Sequence, residues 1–139
     1  MSGGTPAGHE VVNAPELAEP VGFAHAVVAA AGRTVYLGGQ TAQARDGTIV
    51  GTTVTEQFDV AAGNVVAALR AAGARPEHLV SLIIYVTDVA AYRSALPELG
   101  AVWRRHLGRH YPAVALRGVN ALFDDDAMVE LVATAVVPG

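Results

Sequence analysis

The segment Leu79–Val86 most strongly constrains how this chain can fold. Its sequence, Leu-Val-Ser-Leu-Ile-Ile-Tyr-Val, is almost continuously apolar and rich in β-branched residues. Such a run is typical of a β-strand that is covered on both faces, because a strand with one solvent-exposed face alternates apolar and polar residues. We therefore expect a central strand here, with helices on one face of its sheet and another protein layer on the other.

Two helices are predicted, one on each side of this strand in the chain. The first begins near Val54 and runs for about eighteen residues, or about 27 Å, with Thr55 as its N-cap and Gly73 as its stop signal. Its apolar face follows a spacing of three and four residues: Phe58, Ala61, Val65, Leu69 and Ala72. The second helix is expected to start near Pro97, after a short turn from Val89, since proline breaks a continuous helix.

The remaining apolar segments predict further strands. Residues 22–31 and 34–37 flank a Gly-containing turn and are interpreted as a hairpin, after an edge strand or irregular arm at residues 11–19. The second hairpin strand ends at Gly38-Gly39-Gln40, where paired glycines indicate a bulge or a close approach by another group. The last two strands are placed at residues 114–122 and 128–136. The order is β-β-α-β-α-β-β, which predicts an α+β fold with a mixed β-sheet and two helices on one face.

Length and charge limit the class of protein. The 139 residues predict one domain, residues 11–139, behind a flexible Gly/Ser/Pro-rich N-terminus at residues 1–10. The net charge is −4 and no run of Lys or Arg exceeds two residues, which gives little electrostatic support for binding nucleic acid. We find neither the pattern of a signal peptide nor an apolar run of about 20 residues. We expect a soluble, cytoplasmic protein without a nucleic-acid or membrane partner.

The second face of the sheet is expected to be an interface between copies of the chain. Two helices cover only one face, and the central and last two strands do not alternate cleanly. An uncovered apolar sheet face is by default an oligomer interface. The sequence therefore favours a homo-oligomer over a monomer.

Taken in order, several short motifs across residues 21–137 resemble the Rid/YjgF family of reactive-intermediate (enamine/imine) deaminases. The motifs are Leu37-Gly38-Gly39-Gln40, Gln57 with Asn64, Ala71-Ala72-Gly73-Ala74, Tyr85-Val86-Thr87-Asp88, Tyr111-Pro112-Ala113 and Val129-Glu130-Leu131. The resemblance implies a chorismate-mutase-like fold and a homotrimer with a barrel-like centre and ligand clefts between subunits. It also implies hydrolysis of imines or enamines of 2-amino acids to a 2-keto acid and ammonia, with no metal and no cofactor.

The same resemblance assigns roles to individual residues. Glu130 matches the family's cleft glutamate, which positions the attacking water, and Gly39 matches a glycine whose backbone lines the cleft. Phe23 stands where the family usually has Tyr, and Gly38 stands where Ser is common. Val114 stands where the deaminases carry the Arg of a Pro-Ala-Arg motif.

The exchange of this Arg for Val114 changes the expected chemistry. An Arg binds a substrate carboxylate through two charge-assisted hydrogen bonds, and Val offers no donor. Removing one partner of a buried charge pair costs about 2–5 kcal/mol, so efficient deamination of free 2-iminoacids is not expected. Another cation could replace this Arg, and the sequence leaves three candidates open. Arg117 lies on the opposite strand face from Val114 by alternation, and Arg109 and His110 precede the strand.

Four further residues have both a functional and a structural interpretation. Glu130 lies in an otherwise apolar strand, where a carboxylate is costly unless paired, so it is either catalytic or a partner for Arg117 or a backbone amide. Gln40 either orients a ligand or holds its loop. Arg109 and Tyr111 either bind an anionic or aromatic ligand or have no functional role. In the second case Arg109 is solvated and Tyr111 packs before Pro112.

Two functions from different classes follow. The first is a Rid-type hydrolase with an altered cleft, in which Glu130 handles the water and Phe23, Val114 and Leu116 shape an apolar pocket for a small-molecule substrate. The second is a non-catalytic trimer that binds a small metabolite or a protein partner in the same clefts. No metal is expected, since the run Asp124-Asp125-Asp126 lacks the Gly and the distant Glu of a calcium loop.

Overall fold

A four-stranded mixed sheet forms the centre of the computed structural model, which describes residues 2–4 and 7–139. The strands are β1 (Ser2–Gly4), β2 (Glu10–Val12), β3 (Ala26–Val28), β4 (Gly32–Tyr36), β5 (Leu79–Val86), β6 (Ala113–Gly118) and β7 (Val129–Pro138). The helices are α1 (Val54–Ala71), α2 (Val89–Ser94) and α3 (Leu96–Leu107). The main sheet has the order β4-β7-β5-β6, in which β5 runs parallel to β6 and antiparallel to β7. The predicted α+β fold is thus confirmed.

Strand β5 has the bounds that its composition predicts, but its side chains alternate. One face carries the buried Leu82, Ile84 and Val86, and the other carries the half-buried Ser81, Ile83 and Tyr85. The buried face packs into one core with α1 and α3, which contribute Phe58, Leu69, Leu99 and Trp103. We call the other side of the main sheet, with Tyr85 and its neighbours, the open face.

Helix α1 is capped by a different threonine from the one predicted. The Thr53 hydroxyl accepts the Glu56 N–H at 3.1 Å, and the Glu56 carboxylate accepts the Thr53 N–H at 3.1 Å. This reciprocal capping box satisfies two otherwise free donors, so Thr55 already lies inside the helix. At the other end Gly73 has a φ of +80°, the left-handed conformation that ends many helices.

The predicted hairpin between residues 22–31 and 34–37 is wrong. Strand β3 pairs with β2, and β4 pairs with β7, so the two neighbours in sequence belong to different sheets. His9 lies at the connection between them: its Nδ1 accepts the Ala30 N–H at 3.0 Å, and its Nε2 donates to the Val136 carbonyl at 3.0 Å. The ring therefore ties the β3–β4 connection to the end of β7.

The N-terminal segment contributes to the fold where the sequence predicts flexibility. Of residues 1–10, residues 1, 5 and 6 lie outside the described residues. Ser2–Gly4 pairs with β2 as strand β1, and the His9 side chain is fully buried. Its two hydrogen bonds offset the cost of burying a polar ring.

The segment between β5 and β6 contains two helices rather than a turn and a helix. Asp88 caps α2 by accepting the Ala91 N–H at 3.0 Å. Helix α3 follows at once, with Pro97 in its first turn, where the missing N–H of proline costs nothing. Among the residues described, no helix is long and apolar enough to cross a membrane.

Helices α1 and α3 are joined by a charged cluster whose contribution depends on pH. Arg105 donates to Asp59 at 2.7 Å, and His106 donates to the same oxygen at 2.5 Å. These hydrogen bonds, that of Arg105 first, hold the pKa of Asp59 below its ordinary value of 3.8. A carboxyl group whose pKa is lowered on folding stabilises the fold above its unfolded pKa, and this stability is lost as the pH falls through the folded value.

We therefore expect the free energy of unfolding to drop below about pH 4 more steeply in the wild type than in Asp59→Asn. Since the Asp59 side chain is 41% exposed, the difference should not exceed about 1 kcal/mol. Urea unfolding at a series of pH values measures it. Parallel pH profiles for the two proteins would contradict the prediction.

Candidate functional site

Glu130 lies on the open face, in a row with two other functional groups. On β7 it stands directly opposite Tyr85 of β5, and Tyr85 stands directly opposite Arg117 of β6. Directly opposite residues of neighbouring strands point to the same side of a sheet. The side chains of Glu130, Tyr85 and Arg117 therefore form a row across three strands.

The chain bulges beside Glu130 at the two glycines. After β4, the Leu37 N–H donates to the Ala133 carbonyl at 3.1 Å, and the next bonds to β7 join Gln40 and Leu131, both at 2.8 Å. Three steps along this segment thus match two along β7, which leaves one extra residue at Gly38-Gly39. This agrees with the bulge predicted from the paired glycines.

Gly39 lies against the carboxyl group of Glu130. A methyl group at residue 39 would overlap with that carboxyl group, whereas the space around Gly38 is open. The Gln40 side chain donates to the Gly38 carbonyl at 3.2 Å, so in this chain Gln40 holds the bulge. The close approach to Glu130 explains why a glycine is needed at position 39.

The Glu130 carboxylate has no protein partner within residues 7–139. Neither an ion pair nor a hydrogen bond to its side chain occurs in this part of the chain, and Glu130 is half-buried. The structural alternatives, a bond to Arg117 or to a backbone amide, are therefore not observed. A half-buried carboxylate without a partner is free to bind water or a ligand.

A second group of predicted site residues lines an apolar cavity of about 530 Å³. Val114 and Leu116 stand opposite Leu82 and Ile84, on the helix side of β6. The walls are apolar or aromatic: Val21, Gly22, Phe23, Phe58, Ile84, Tyr92, Leu96, Leu99, Gly100, Trp103, Tyr111, Val114 and Leu116. No charged side chain belongs to this set.

Aromatic rings give this cavity its shape. The rings of Trp103 and Tyr111 are stacked with their centroids 5.3 Å apart, and Tyr111 also lines the cavity. A hydrogen bond at 3.0 Å from the Ala24 N–H to the Pro112 carbonyl sets Phe23 beside the start of β6. Burial raises the pKa of Tyr92 above its ordinary value, so its hydroxyl stays neutral.

The predicted site residues thus separate into two groups within one chain. Glu130, Gly39 and Gln40 lie at the open face, while Phe23, Val114, Leu116 and Tyr111 line the cavity on the other side. Successive side chains of a strand point to opposite faces, and the pairing register decides which face is which. One chain alone therefore does not bring Glu130 and Val114 into a single cleft.

Two of the suggested cations lie away from Glu130. Arg109 is exposed and lines a wide cleft of about 1030 Å³ together with Phe23 and Tyr111. His110 has a structural role: its Nε2 donates to the Leu79 carbonyl at 2.7 Å, and its own carbonyl accepts from Trp103 at 3.2 Å. This leaves Arg117 in the row with Glu130.

Sequence reasoning missed Tyr85 and Tyr92 as possible site residues. Tyr85 is the aromatic residue of the β5 run, which also contains Ser81, and its hydroxyl group was the available signal. Its position between Glu130 and Arg117 follows from strand pairing, which the sequence does not reveal. Among residues 2–4 and 7–139, no three His, Asp or Glu side chains are grouped to hold a metal ion.

Fold and site together define a class: a small α+β domain with three helices packed on one side of a mixed sheet, and a partner-free carboxylate on the other. The sequence profile described as Endoribonuclease L-PSP matches residues 13–137. The chain belongs to this family, the Rid/YjgF family.

Solved structures agree with this assignment. The Rid protein YyfB from Yersinia pestis is 30% identical with a TM-score of 0.83, over 92% of this chain and 98% of that one. Rv2704 from Mycobacterium tuberculosis, of the YjgF/YER057c/UK114 family, is 29% identical with a TM-score of 0.63, over 93% and 99%. TdcF from E. coli, solved with bound serine, is 24% identical with a TM-score of 0.65, over 74% and 80%, which shows the fold alone. No curated protein matches the chain in sequence.

Proposed function

We propose that this protein is a Rid-type hydrolase that cleaves C–N bonds of small imines or enamines. The observation that carries the proposal is the partner-free Glu130 carboxylate, held beside the Gly39 backbone on the open face. Such a group accepts a hydrogen bond from water and orients it for attack. Neither a metal nor a cofactor takes part in the proposed reaction, and the cytoplasmic location expected from composition belongs to the same proposal.

The reaction follows from the placement of one carboxylate. Glu130 takes a proton from the bound water while the water oxygen forms a bond to the imine carbon. The C=N double bond becomes a single bond, and the nitrogen receives a proton. The nitrogen then receives a second proton while the new hydroxyl group loses its own, with the Glu130 carboxylate passing the proton between them. The C–N bond breaks, ammonia leaves with the shared electron pair, and a carbonyl group remains. An imine and one water thus give a carbonyl compound and ammonia.

A homotrimer with clefts between subunits is part of the proposal. The open face carries half-buried Ile83 and Val132 and the 81% exposed Tyr36, which favours burial against another copy. The two groups of site residues, on opposite faces of one chain, meet only where one chain's open face approaches another chain's cavity. Size-exclusion chromatography with light scattering measures the oligomeric state. A protein that is monomeric at micromolar concentration would contradict the homotrimer.

The function is tested by ammonia release. Wild-type protein is mixed with 2-iminoacids generated in place by an amino-acid oxidase, and separately with neutral imines. We expect release above the rate without protein on at least one class. Equal rates with and without protein on both classes would contradict the hydrolase proposal.

Gly39→Ala tests whether the glycine positions Glu130. The added methyl group overlaps with the Glu130 carboxyl group, which is the mobile end of a flexible side chain and moves aside. We expect a loss of about 10²-fold in ammonia release, because a misplacement of about 1 Å suffices for this. The free energy of unfolding should change by less than about 1 kcal/mol.

Gly38→Ala provides the comparison for this variant, since the adjacent residue loses the same backbone freedom but meets open space. Kinetics and urea unfolding are measured on both proteins. If Gly38→Ala loses as much activity as Gly39→Ala, the overlap with Glu130 is not the cause.

The apolar cavity favours a second candidate, a non-catalytic trimer that binds a small apolar metabolite or a protein partner. Its walls offer aromatic surface and the neutral Tyr92 hydroxyl rather than charge. This version predicts that neutral aromatic metabolites raise the melting temperature without turnover. No shift with any of them would count against the metabolite version.

An RNA substrate is not part of either proposal, although the family's description names an endoribonuclease. The net charge of −4 and the absence of basic runs give little electrostatic support for a polyanion.

A further inference from the structure

We propose that Arg117 is the ligand-binding cation of the open face, and that it binds the carboxylate of the molecule whose reacting carbon faces Glu130. This inference rests on the proposed function and names the residue and the ligand class of that site. The chemical class is a small carboxylate with a carbonyl or imine carbon beside it.

The pairing register puts Arg117 on the correct face. Tyr85 stands opposite both Glu130 and Arg117, so the three residues lie side by side on consecutive strands. Neighbouring strands are about 4.8 Å apart, which separates the Cα atoms of Arg117 and Glu130 by about 10 Å. A small ligand lying over Tyr85 therefore meets a guanidinium on one side and a carboxylate on the other.

Both charged groups are available. Arg117 is exposed, and neither it nor Glu130 forms an ion pair within residues 7–139. An intervening strand keeps them from neutralising each other. The planar guanidinium offers two parallel donors that match a carboxylate, while Glu130 accepts a hydrogen bond from the water.

No other arginine of the main sheet has this position. Its strands contain two, Arg33 and Arg117. Arg33 stands opposite Val137, two residues from the Val35–Ala135 pair that faces the core. Arg33 therefore points to the helix side and provides a matched control.

The position of residue 114 in the sheet bears on what the absence of an arginine there means for ligand binding. In this chain the residue at 114 stands opposite Leu82, on the helix side, so a cation there would not share a face with Glu130. Arg117 lies three residues later and does share it. A residue at 114 could therefore reach Glu130 only from another chain, whereas Arg117 lies beside Glu130 within the same chain.

The experiment compares two stable probes of nearly equal shape, the carboxylate pyruvate and its neutral amide pyruvamide. Binding is measured by NMR titration of the full chain for the wild type, Arg117→Ala, Arg117→Lys and Arg33→Ala. We expect the wild type to bind pyruvate more tightly than pyruvamide. Arg117→Ala should weaken pyruvate binding about 10- to 100-fold, as expected for a charge-assisted hydrogen bond, with pyruvamide unchanged.

Arg117→Lys should keep part of the pyruvate affinity, because the positive charge remains while the two parallel donors of the guanidinium group are lost. Arg33→Ala should bind like the wild type. Unchanged pyruvate binding in Arg117→Ala, or equal affinity of the wild type for both probes, would overturn the inference. Arg117→Gln replaces Arg117→Ala if the latter does not fold, and is judged by the same criterion.

Turnover separates this inference from the proposed function. If both hold, Arg117→Ala raises KM for 2-iminoacids with little change in kcat, because binding is lost and the water is still held. Pyruvate binding that depends on Arg117 without any ammonia release would overturn the hydrolase proposal alone. Ammonia release by the wild type with KM unchanged in Arg117→Ala would overturn the Arg117 proposal alone.

Discussion

Glu130→Gln is expected to lower the rate of ammonia release by about 10²–10⁴-fold, the usual contribution of a general base. Glutamine has nearly the same shape and still fits against Gly39, but its amide does not take a proton from water. Since no protein group is bound to Glu130 within residues 7–139, the fold should be unaffected. Steady-state kinetics and urea unfolding of the two proteins measure both effects.

Glu98→Gln is the matched control for this change. Glu98 is an exposed carboxylate in the first turn of α3, the helix that packs on the other side of the main sheet from the open face. We expect its kinetics to equal those of the wild type. A Glu130→Gln protein that keeps full activity, or a Glu98→Gln protein with the same loss, would contradict the role of Glu130.

Gln57→Ala is expected to lower the free energy of unfolding by about 2–5 kcal/mol. The Gln57 side chain is 1% exposed and makes three hydrogen bonds. Its amide donates to the carbonyls of Gly51 at 3.1 Å and Asp126 at 2.8 Å, and its oxygen accepts the Met128 N–H at 2.8 Å. Alanine leaves all three backbone groups without this partner, and buried groups without partners are costly.

This glutamine also connects the start of α1 to the turn that leads into β7, so its loss should loosen the strand that carries Glu130. Gln43→Ala is the control, because Gln43 is exposed and makes a single side-chain bond, to the Gly47 carbonyl at 3.1 Å. Urea unfolding should show a change within about 0.5 kcal/mol for Gln43→Ala. Equal destabilisation of the two variants would contradict the structural role of Gln57.

Local features of the fold were predictable where neighbouring residues alone decide them. The apolar run of β5 and the three- and four-residue spacing in α1 gave correct elements, because helix and strand periodicity is a property of consecutive side chains. The N-cap of α1 was misplaced by two residues because three threonines, Thr52, Thr53 and Thr55, lie at its start. The reciprocal bond between Thr53 and Glu56 decides between them.

The candidate site was predictable residue by residue but not as an arrangement. Resemblance to the family pointed to Glu130, Gly39 and Val114, and the paired glycines indicated a close approach beside a strand. The identity of the group that approaches, the Glu130 carboxyl, required the register of β4 and β7. Tyr85 likewise became a candidate only once strand pairing placed it between Glu130 and Arg117.

The sequence by itself determined the α+β class, the central strand, the two long helices and membership of the Rid/YjgF family, since these depend on local pattern and on motif order. Only the tertiary structure decided which strands pair and in which register. That decision puts β3 and β4 in different sheets, and it puts Val114 and Glu130 on opposite sides of one sheet. A shift of one residue in register exchanges the two faces, and register depends on contacts between residues far apart in the chain.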